Sequence, residues 1–579
     1  MKKNKVKILF CLIFIVLGSS VVLAKEGARN FTDVSKEHWA YEAVHELHSL
    51  GITQGVGHGE FGMGRTITRN EFVTFLTKLM QWELVAPDKG SFIDNVDTTK
   101  WYYAPVETAL QHGVLSKDMG WFRGEESITR EEMAVMLVRT LGYETLANQL
   151  TYLGSPFEDV TQNTGYITIA KDFGIITGVG NHMFKPYDTA KREEAAVMMM
   201  RMYDKLQHSI HELHGFYAIR SALQADMIPA FDSIGFGWSR LEYDEKNNQV
   251  ILNTTRKNDN EYAIPAGFSQ PLEQAKEQGA STQLMVLAKD DWVVNLDTKS
   301  RVLLVEYIVT NPEVRKQVIG SILSQINGAK VDDGTIFFDG VVIDFENMKG
   351  DLLRDSFTLF LQELKKELEK NNKLLYVAVH PKRRHGQAYY DGYDYKAIGE
   401  VADKVILMAH DYYAKELTDT EMESGYTITP LTPMNEFYYA LKSITDKQTG
   451  VEDVTKVWIQ FSFDSVQWKL KDGKVIHRFP YHPSYEGIQQ RLIKDEVMIH
   501  YSDVAQNSYA TFFDSQDETH NVIWYEDVRS IEAKINIMKM FDIQGISLWR
   551  LGNIPNFTDI ESKKTYLNVW EKIRSIRKD

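Results

Sequence analysis

The chain has 579 residues, of which 25% are charged, 43% hydrophobic and 12% aromatic, and its formal charge is −15. That length and composition point to several globular domains and exclude a mostly disordered chain, a collagen and a multi-span membrane protein. The acidic balance argues against a nucleic-acid partner, and a single cysteine, Cys11, excludes a disulfide scaffold and a Cys-based zinc site.

Lys2, Lys3, Lys5 and Lys7 precede an apolar run from Ile8 to Leu17, and Val22-Leu23-Ala24 closes the stretch with a small residue. A basic head, an apolar middle and a small-residue site read as a secretory signal peptide over 1–24. The alternative is a membrane anchor, but the run is short and broken by Gly18-Ser19-Ser20. Cleavage would remove Cys11 and four lysines, leaving 61 basic and 80 acidic residues, a net of −19. An exported chain with no membrane contact after cleavage is expected.

An internal repeat follows. Phe31-Thr32-Asp33, Phe92-Ile93-Asp94 and Phe157-Glu158-Asp159 each precede an aromatic opening a helical stretch: Trp39, Trp101 and Tyr166. Glycine turns at Gly51, Gly113 and Gly174 come next, then Thr68-Arg69-Asn70-Glu71, Thr129-Arg130-Glu131-Glu132 and Lys191-Arg192-Glu193-Glu194. The arginines stand 61 and 62 residues apart. Trp39, Ala40, Ala43, Val44, Leu47 and Leu50 fall on one helical face, and His38, His45 and His48 read as surface positions. The Met198–Met200 run with Met202 reads as core. Thr68-x-x-Glu71 and Thr129-x-x-Glu132 are capping boxes. Capping alone is one reading; an arginine in the first turn, against the positive end of the dipole, favours anion binding at the helix start.

These residues resemble the S-layer homology module in three copies over about 29–208, with borders at 25–88, 89–150 and 151–208. Proteins of that family hold a pyruvylated secondary polysaccharide of the Gram-positive cell wall. The resemblance implies that Arg69, Arg130 and Arg192 contact the anionic ketal, with Asp33, Asp94, Asp159, Trp39 and Trp101 shaping the grooves. Lys191 and Tyr166 depart from the pattern, which implies a weaker or purely structural third groove.

Beyond about 209, short apolar runs alternate with helical stretches. Candidate strands are Gly215–Ile219, Ser233–Gly237, Gln283–Leu287, Gly340–Phe345, Leu374–Val379, Lys404–Ala409, Val457–Phe461 and Gly545–Trp549. Eight strands with intervening helices such as Leu353–Lys370 predict an α/β TIM (β/α)₈ barrel over 209–579. Asp464 to about Thr519, long and poor in helical period, reads as an insertion after strand seven.

In Asp339-Gly340-Val341-Val342-Ile343-Asp344-Phe345-Glu346, alternation sends Val342, Asp344 and Glu346 to one face. Two carboxylates at i and i+2 perturb one another, and a raised pKa suits an acid that protonates a leaving oxygen. A structural acid pair fits the segment equally well. The segment resembles family-18 glycoside hydrolases, as do Met408-Ala409-His410-Asp411-Tyr412 and Gly545-Ile546-Ser547-Leu548-Trp549-Arg550. The pattern is nearest the cell-wall and spore-cortex branch, with Tyr525-Glu526-Asp527-x-Arg529-Ser530 at a helix start. The resemblance implies Glu346 as general acid and Asp344 as the residue holding the substrate acetamide, whose own oxygen attacks. It implies Trp549 as subsite floor, and Asp339, His410, Asp411, Tyr412 and Tyr217 as substrate contacts. Val342 stands where chitinase-like members have a third aspartate, and His410 where they have a tyrosine.

Lys382-Arg383-Arg384-His385 reads as a solvated surface, His208, His211 and His214 form no metal constellation, and no phosphate loop occurs. No metal and no cofactor are expected. The function expected is a wall-anchored hydrolase cutting β-1,4 bonds after N-acetylglucosamine in peptidoglycan; the alternatives are a chitinase or a non-catalytic glycan-binding S-layer protein.

Overall fold

The computed structural model describes residues 31–117, 120–289, 291–294, 299–331, 334–383 and 391–577. The expected leader, 1–24, lies outside them, as do Arg384 and His385. Two compact units emerge. The first runs through Gln111 and takes in Lys117–Ile128 and Thr189–Met200; the second comprises His112–Ser116, Thr129–Asp188 and everything from Arg201.

The repeats are helical, with Tyr41–Ser49 and Arg69–Leu79 in the first, Tyr103–Gln111 and Arg130–Thr140 in the second, and Thr164–Asp172 and Arg192–Gln207 in the third. Thr68 and Thr129 form the expected capping boxes with Glu71 and Glu132. The segments entering these helices bond to one another: Ile67 N donates to Ala190 O (3.1 Å), Ala190 N to Ile128 O (2.9 Å), and Ile128 N to Ile67 O (3.0 Å). Met198, Met199, Met200 and Met202 are core. Trp39 leaves the packed face and is 62% exposed, because the helix starts only at Tyr41. His45 and His48 are half-buried against Phe31 rather than free on the surface.

The barrel strands are β1 (Glu212–Tyr217), β2 (Ser233–Asp244), β3 (Ser281–Ala288), β4 (Gly340–Phe345), β5 (Leu374–Val379), β6 (Lys404–Leu407), β7 (Val457–Ser462) and β8 (Gly545–Trp549). All neighbours pair in parallel, and β1 pairs with both β2 and β8, so the sheet closes. Its interior is filled by Phe216, Met285, Leu287, Val342, Tyr376, Ile406, Met408 and Trp458. Gly545 is required there: a Cβ would lie 1.8 Å from Cδ1 of Trp458. Helix Gly350–Glu369 buries Phe357, Phe360, Leu361 and Leu364 on one face.

The insertion after β7 is a five-stranded antiparallel sheet ending at Tyr525, with helix Tyr485–Leu492 between its strands. It shares a core with the segment after β6, in which Leu417 and Leu431 pack with Val466, Trp468 and Trp524. Within the second unit, packing crosses the expected border at 208. Lys442 Nζ and Tyr438 Oη both reach Asp172, the latter at 2.7 Å, and Phe173 meets Phe541 edge-on at 5.3 Å.

Candidate active site

Alternation along β4 builds the site. Phe345 turns outward, its ring 5.1 Å from Phe360 and 5.8 Å from Phe357, while Val342 and Asp344 turn inward. Asp344 and Glu346 then line one cleft of about 670 Å³ at the C-terminal ends of the strands, together with His380, His410, Asp411, Tyr413, Gln460 and Trp549. Asp344 is buried; that burial, and then the neighbouring Glu346, hold its pKa well above the ordinary 3.8. Its Oδ1 has no hydrogen-bond partner among the described residues. Two carboxyls so placed each disfavour the other's charge. Burial, and then Asp344 and Glu346, also raise the Tyr262 phenol, on the cleft wall.

The segment after β6 brings a second pair to the same cleft. His410 Nδ1 lies 3.0 Å from Asp411 Oδ2, and its Nε2 lies 2.7 Å from Gln460 Oε1. Burial opposes a charge on His410, but Asp411 outweighs it and the imidazole titrates above 6.5. Burial likewise opposes the Asp411 charge, but His410 and then Lys415 hold the carboxyl down to about 2. Asp411 sits in the left-handed backbone region at φ 58°, a costly conformation for a non-glycine residue. Burial keeps the adjacent His380 neutral, with its pKa lowered to about 3. Tyr413 Oη donates to Asp464 Oδ2 at 2.9 Å, and Asp464 faces His482 at 3.3 Å.

Three expected contacts fall elsewhere. Asp339 precedes β4, at the far end of the barrel from the cleft, and accepts from Thr282 N and Oγ1, both at 2.9 Å. Tyr217 has the wrong parity: Phe216 fills the interior, and Tyr217 packs on the other face against Phe236 and Trp238. Tyr413, not Tyr412, lines the cleft; Tyr412 sits beneath the Arg383 guanidinium. Arg383, read as solvated surface, lines the cleft as well. His380 directly follows β5 and Gln460 lies within β7, so a scan of strand ends would have singled out the first. Tyr413 and Tyr262 sit in loops and give no such signal.

The arginines of the repeats are 3–8% exposed and bind protein groups. Arg69 Nη1 donates to Arg123 O and Glu126 Oε2, both at 3.3 Å. Arg130 donates to Phe184 O (2.9 Å) and Thr177 O (3.3 Å). Arg192 donates to Phe61 O (2.9 Å), Glu71 Oε1 (3.0 Å) and Thr53 Oγ1 (3.2 Å). Each arginine therefore reaches into the following repeat, and the third returns to the first. Asp33, Asp94 and Asp159 clamp loops, accepting from backbone N–H groups such as those of Phe61, Phe122 and Phe184 at 2.7–2.8 Å. Trp39 and Trp101 are 62% and 59% exposed, whereas Tyr166 is buried. Among the described residues no group of His, Cys, Asp and Glu is arranged to hold a metal ion.

The comparisons with known proteins cover both parts of the chain. Residues 306–553 match the model described as "Glycosyl hydrolases family 18", and 30–73, 96–134 and 156–196 match the S-layer homology domain. The chain is 27% identical over 255 residues to a "Putative sporulation-specific glycosylase YdhD" of Bacillus subtilis, covering 43% of this chain and 53% of that protein. It is 28% identical over 215 residues to a "Cortical fragment-lytic enzyme" of Bacillus anthracis, covering 36% and 45%. With the "S-layer protein sap" of Bacillus anthracis it shares 28% identity over 174 residues, 29% of this chain and 20% of that protein. The chain thus spans about half the length of the first two and less of the third. Repeats of this kind indicate attachment at the cell surface, and no described helix is long and apolar enough to cross a membrane. The chain carries a family-18 glycosyl hydrolase domain preceded by three S-layer homology domains.

Proposed function

We propose that the barrel cuts β-1,4 bonds after N-acetylglucosamine in peptidoglycan by a substrate-assisted, retaining mechanism, while the repeats hold it on a pyruvylated wall polysaccharide. The observation that carries the hydrolase reading is the pair Asp344 and Glu346 facing one cleft, with Asp344 buried and its pKa raised. In this mechanism the pair shares one proton, which the raised Asp344 carboxyl holds at the outset. When the acetamide N–H reaches the unpartnered Oδ1 of Asp344, that carboxyl becomes the better anion and the proton passes to Glu346. Glu346 gives it to the bridge oxygen as the acetamide oxygen closes on the anomeric carbon; Asp344 then faces the resulting cation. Glu346 next accepts a proton from the water that opens the ring, so both steps use one residue and configuration is retained. Trp549, part-buried against the barrel core, offers an aromatic face for the sugar. The cortical fragment-lytic relative supports the choice of wall glycan.

The repeats offer exposed Trp39 and Trp101 to the polymer. Arg69, Arg130 and Arg192 would act chiefly by fixing the loops of the adjacent repeat, with only their small accessible edges left for the ketal. Export by the leader at 1–24, followed by retention on a Gram-positive-type wall, completes the proposal. A non-cutting glycan binder is favoured by one feature: Val342 sits fully buried where a proton-sharing aspartate would stand. Digestion of purified peptidoglycan with mass analysis of new reducing ends separates the readings. N-acetylglucosamine ends support the proposal, N-acetylmuramic ends refute its bond specificity, and no release at any pH supports the binder.

A further inference from the structure

Two side chains of the cleft keep hydrogen-bonding capacity that no described protein group takes up. One is Asp344, whose buried Oδ1 lacks a partner among the described residues. The other is a tyrosine. Of the two described tyrosines that line the cleft, Tyr413 gives its hydroxyl to Asp464 at 2.9 Å, whereas the Tyr262 hydroxyl donates to no described residue. His410 has both ring nitrogens facing protein, Nδ1 at 3.0 Å from Asp411 and Nε2 at 2.7 Å from Gln460.

Tyr262 is held firmly where it stands. Beyond β2 the chain turns back as the antiparallel strand Gln249–Asn253, and a buried polar network closes the loop that follows. Glu242 accepts from Asn253 Nδ2 at 3.0 Å and from Asn258 Nδ2 at 2.7 Å. Asn260 donates to Asn253 O and Thr255 O at 3.0 and 3.1 Å, and its Oδ1 takes the Tyr262 N–H at 3.0 Å. Ile264 N then donates to Thr254 O at 2.8 Å. The Tyr262 ring packs against the barrel interior, close enough to β2 that a Cβ on Gly237 would stand 3.5 Å from its Cδ1. Lys289 Nζ lies 5.4 Å from the ring centre. Burial, and then Asp344 and Glu346, keep the phenol protonated and therefore a donor. A planar acetamide carries one donor, its N–H, and one acceptor, its C=O, on opposite sides. The cleft presents the complement: an acceptor on Asp344 and a donor on Tyr262.

We propose that Tyr262 orients the substrate: its hydroxyl donates to the acetamide carbonyl of the sugar to be cut, so that Asp344 and Tyr262 together read both ends of that group. The inference rests on the hydrolase reading of the same cleft and deepens it. One lone pair of the carbonyl oxygen is held by the phenol, and the other is left to face the anomeric carbon. A site built to hydrogen-bond a substrate group rejects analogues that lack it, because its own polar group is then left unpaired.

Binding is measured in Glu346→Gln protein, so that cutting does not intervene, by calorimetry with two soluble probes. These are an N-acetylglucosamine oligomer and the same oligomer with thioacetyl in place of acetyl, whose sulfur is a weak acceptor. Adding Tyr262→Phe keeps the ring and removes the donor. It should weaken the acetyl probe by about threefold to tenfold, the worth of one neutral hydrogen bond, and leave the thioacetyl probe unchanged. A fluorotyrosine placed at position 262 alone reads the same contact with the hydroxyl in place. Its fluorine signal should move further with the acetyl probe than with the thioacetyl probe. An equal loss for both probes, no loss for either in a folded variant, or equal movement of the fluorine signal overturns the proposal. Turnover of peptidoglycan by the unmodified chain is scored separately. Carbonyl-dependent binding without turnover sinks the hydrolase reading; turnover without carbonyl dependence sinks this one.

Discussion

Replacing Asp411 by Asn tests the electrostatics of the cleft. Holding the carboxyl down to about 2 rather than 3.8 corresponds to about 2 kcal/mol of native stability, allowing for the 30% of the side chain left in solvent. Because this pKa is depressed, the contribution is present above 3.8 and is lost as the pH falls towards about 2. His410 is the other half of the same interaction and is counted once. Its pKa is raised, so the contribution is whole below 6.5 and is lost as the pH climbs through the raised value. Asp411→Asn should therefore cost about 2 kcal/mol near pH 5.5 and clearly less near pH 3 and at a pH above the raised imidazole value. Urea unfolding at the three pH values reads the cost. Titration of histidine-labelled protein should show the His410 pKa falling, since burial is then opposed only by the Gln460 hydrogen bond. An equal loss at every pH, or an unmoved imidazole, would refute the account.

Glu346→Gln should lower peptidoglycan turnover by about 10²–10⁴-fold while glycan binding persists, as measured by reducing-end release beside calorimetry. Asp344→Asn fixes the neutral form of that side chain, so turnover should collapse at all pH values; activity kept at low pH would show that no charge is needed there. Lys534 is fully buried with its Nζ 2.7 and 3.0 Å from the Glu526 oxygens, so Lys534→Met should cost about 3–5 kcal/mol in urea. Adding Glu526→Gln should recover most of that loss. Arg192→Met should lower the unfolding temperature of the repeats but leave pelleting with purified walls intact below it. Lost pelleting with unchanged stability would instead mean direct polymer contact.

Much of the fold can be read from the chain because its signals are local. Strands buried on both faces are apolar runs, so the barrel set was recognisable, with Gly340–Phe345, Leu374–Val379 and Gly545–Trp549 matching to the residue. Alternation alone sends Asp344 and Glu346 inward. What stayed hidden is tertiary. Tyr217 needed a parity that only its neighbour Phe216 reveals in the packed barrel. Asp339 reads as one more acid of the motif, yet it lies at the end of the strand away from the cleft. Tyr413 and Tyr262 reach the cleft from loops whose course no periodicity encodes. The arginine spacing signalled a repeated role, but an arginine donating to a backbone carbonyl and one awaiting an anion look alike in sequence.

Arg69, Arg130 and Arg192 also bear on how the repeats can change. Each guanidinium is housed by a neighbour, and the last is housed by the first. Excising a single module would strand one buried cation and vacate the seat of another, so shortening the array by one is a different lesion from removing it whole. In this chain the three guanidinium seats are complete only when all three modules are present.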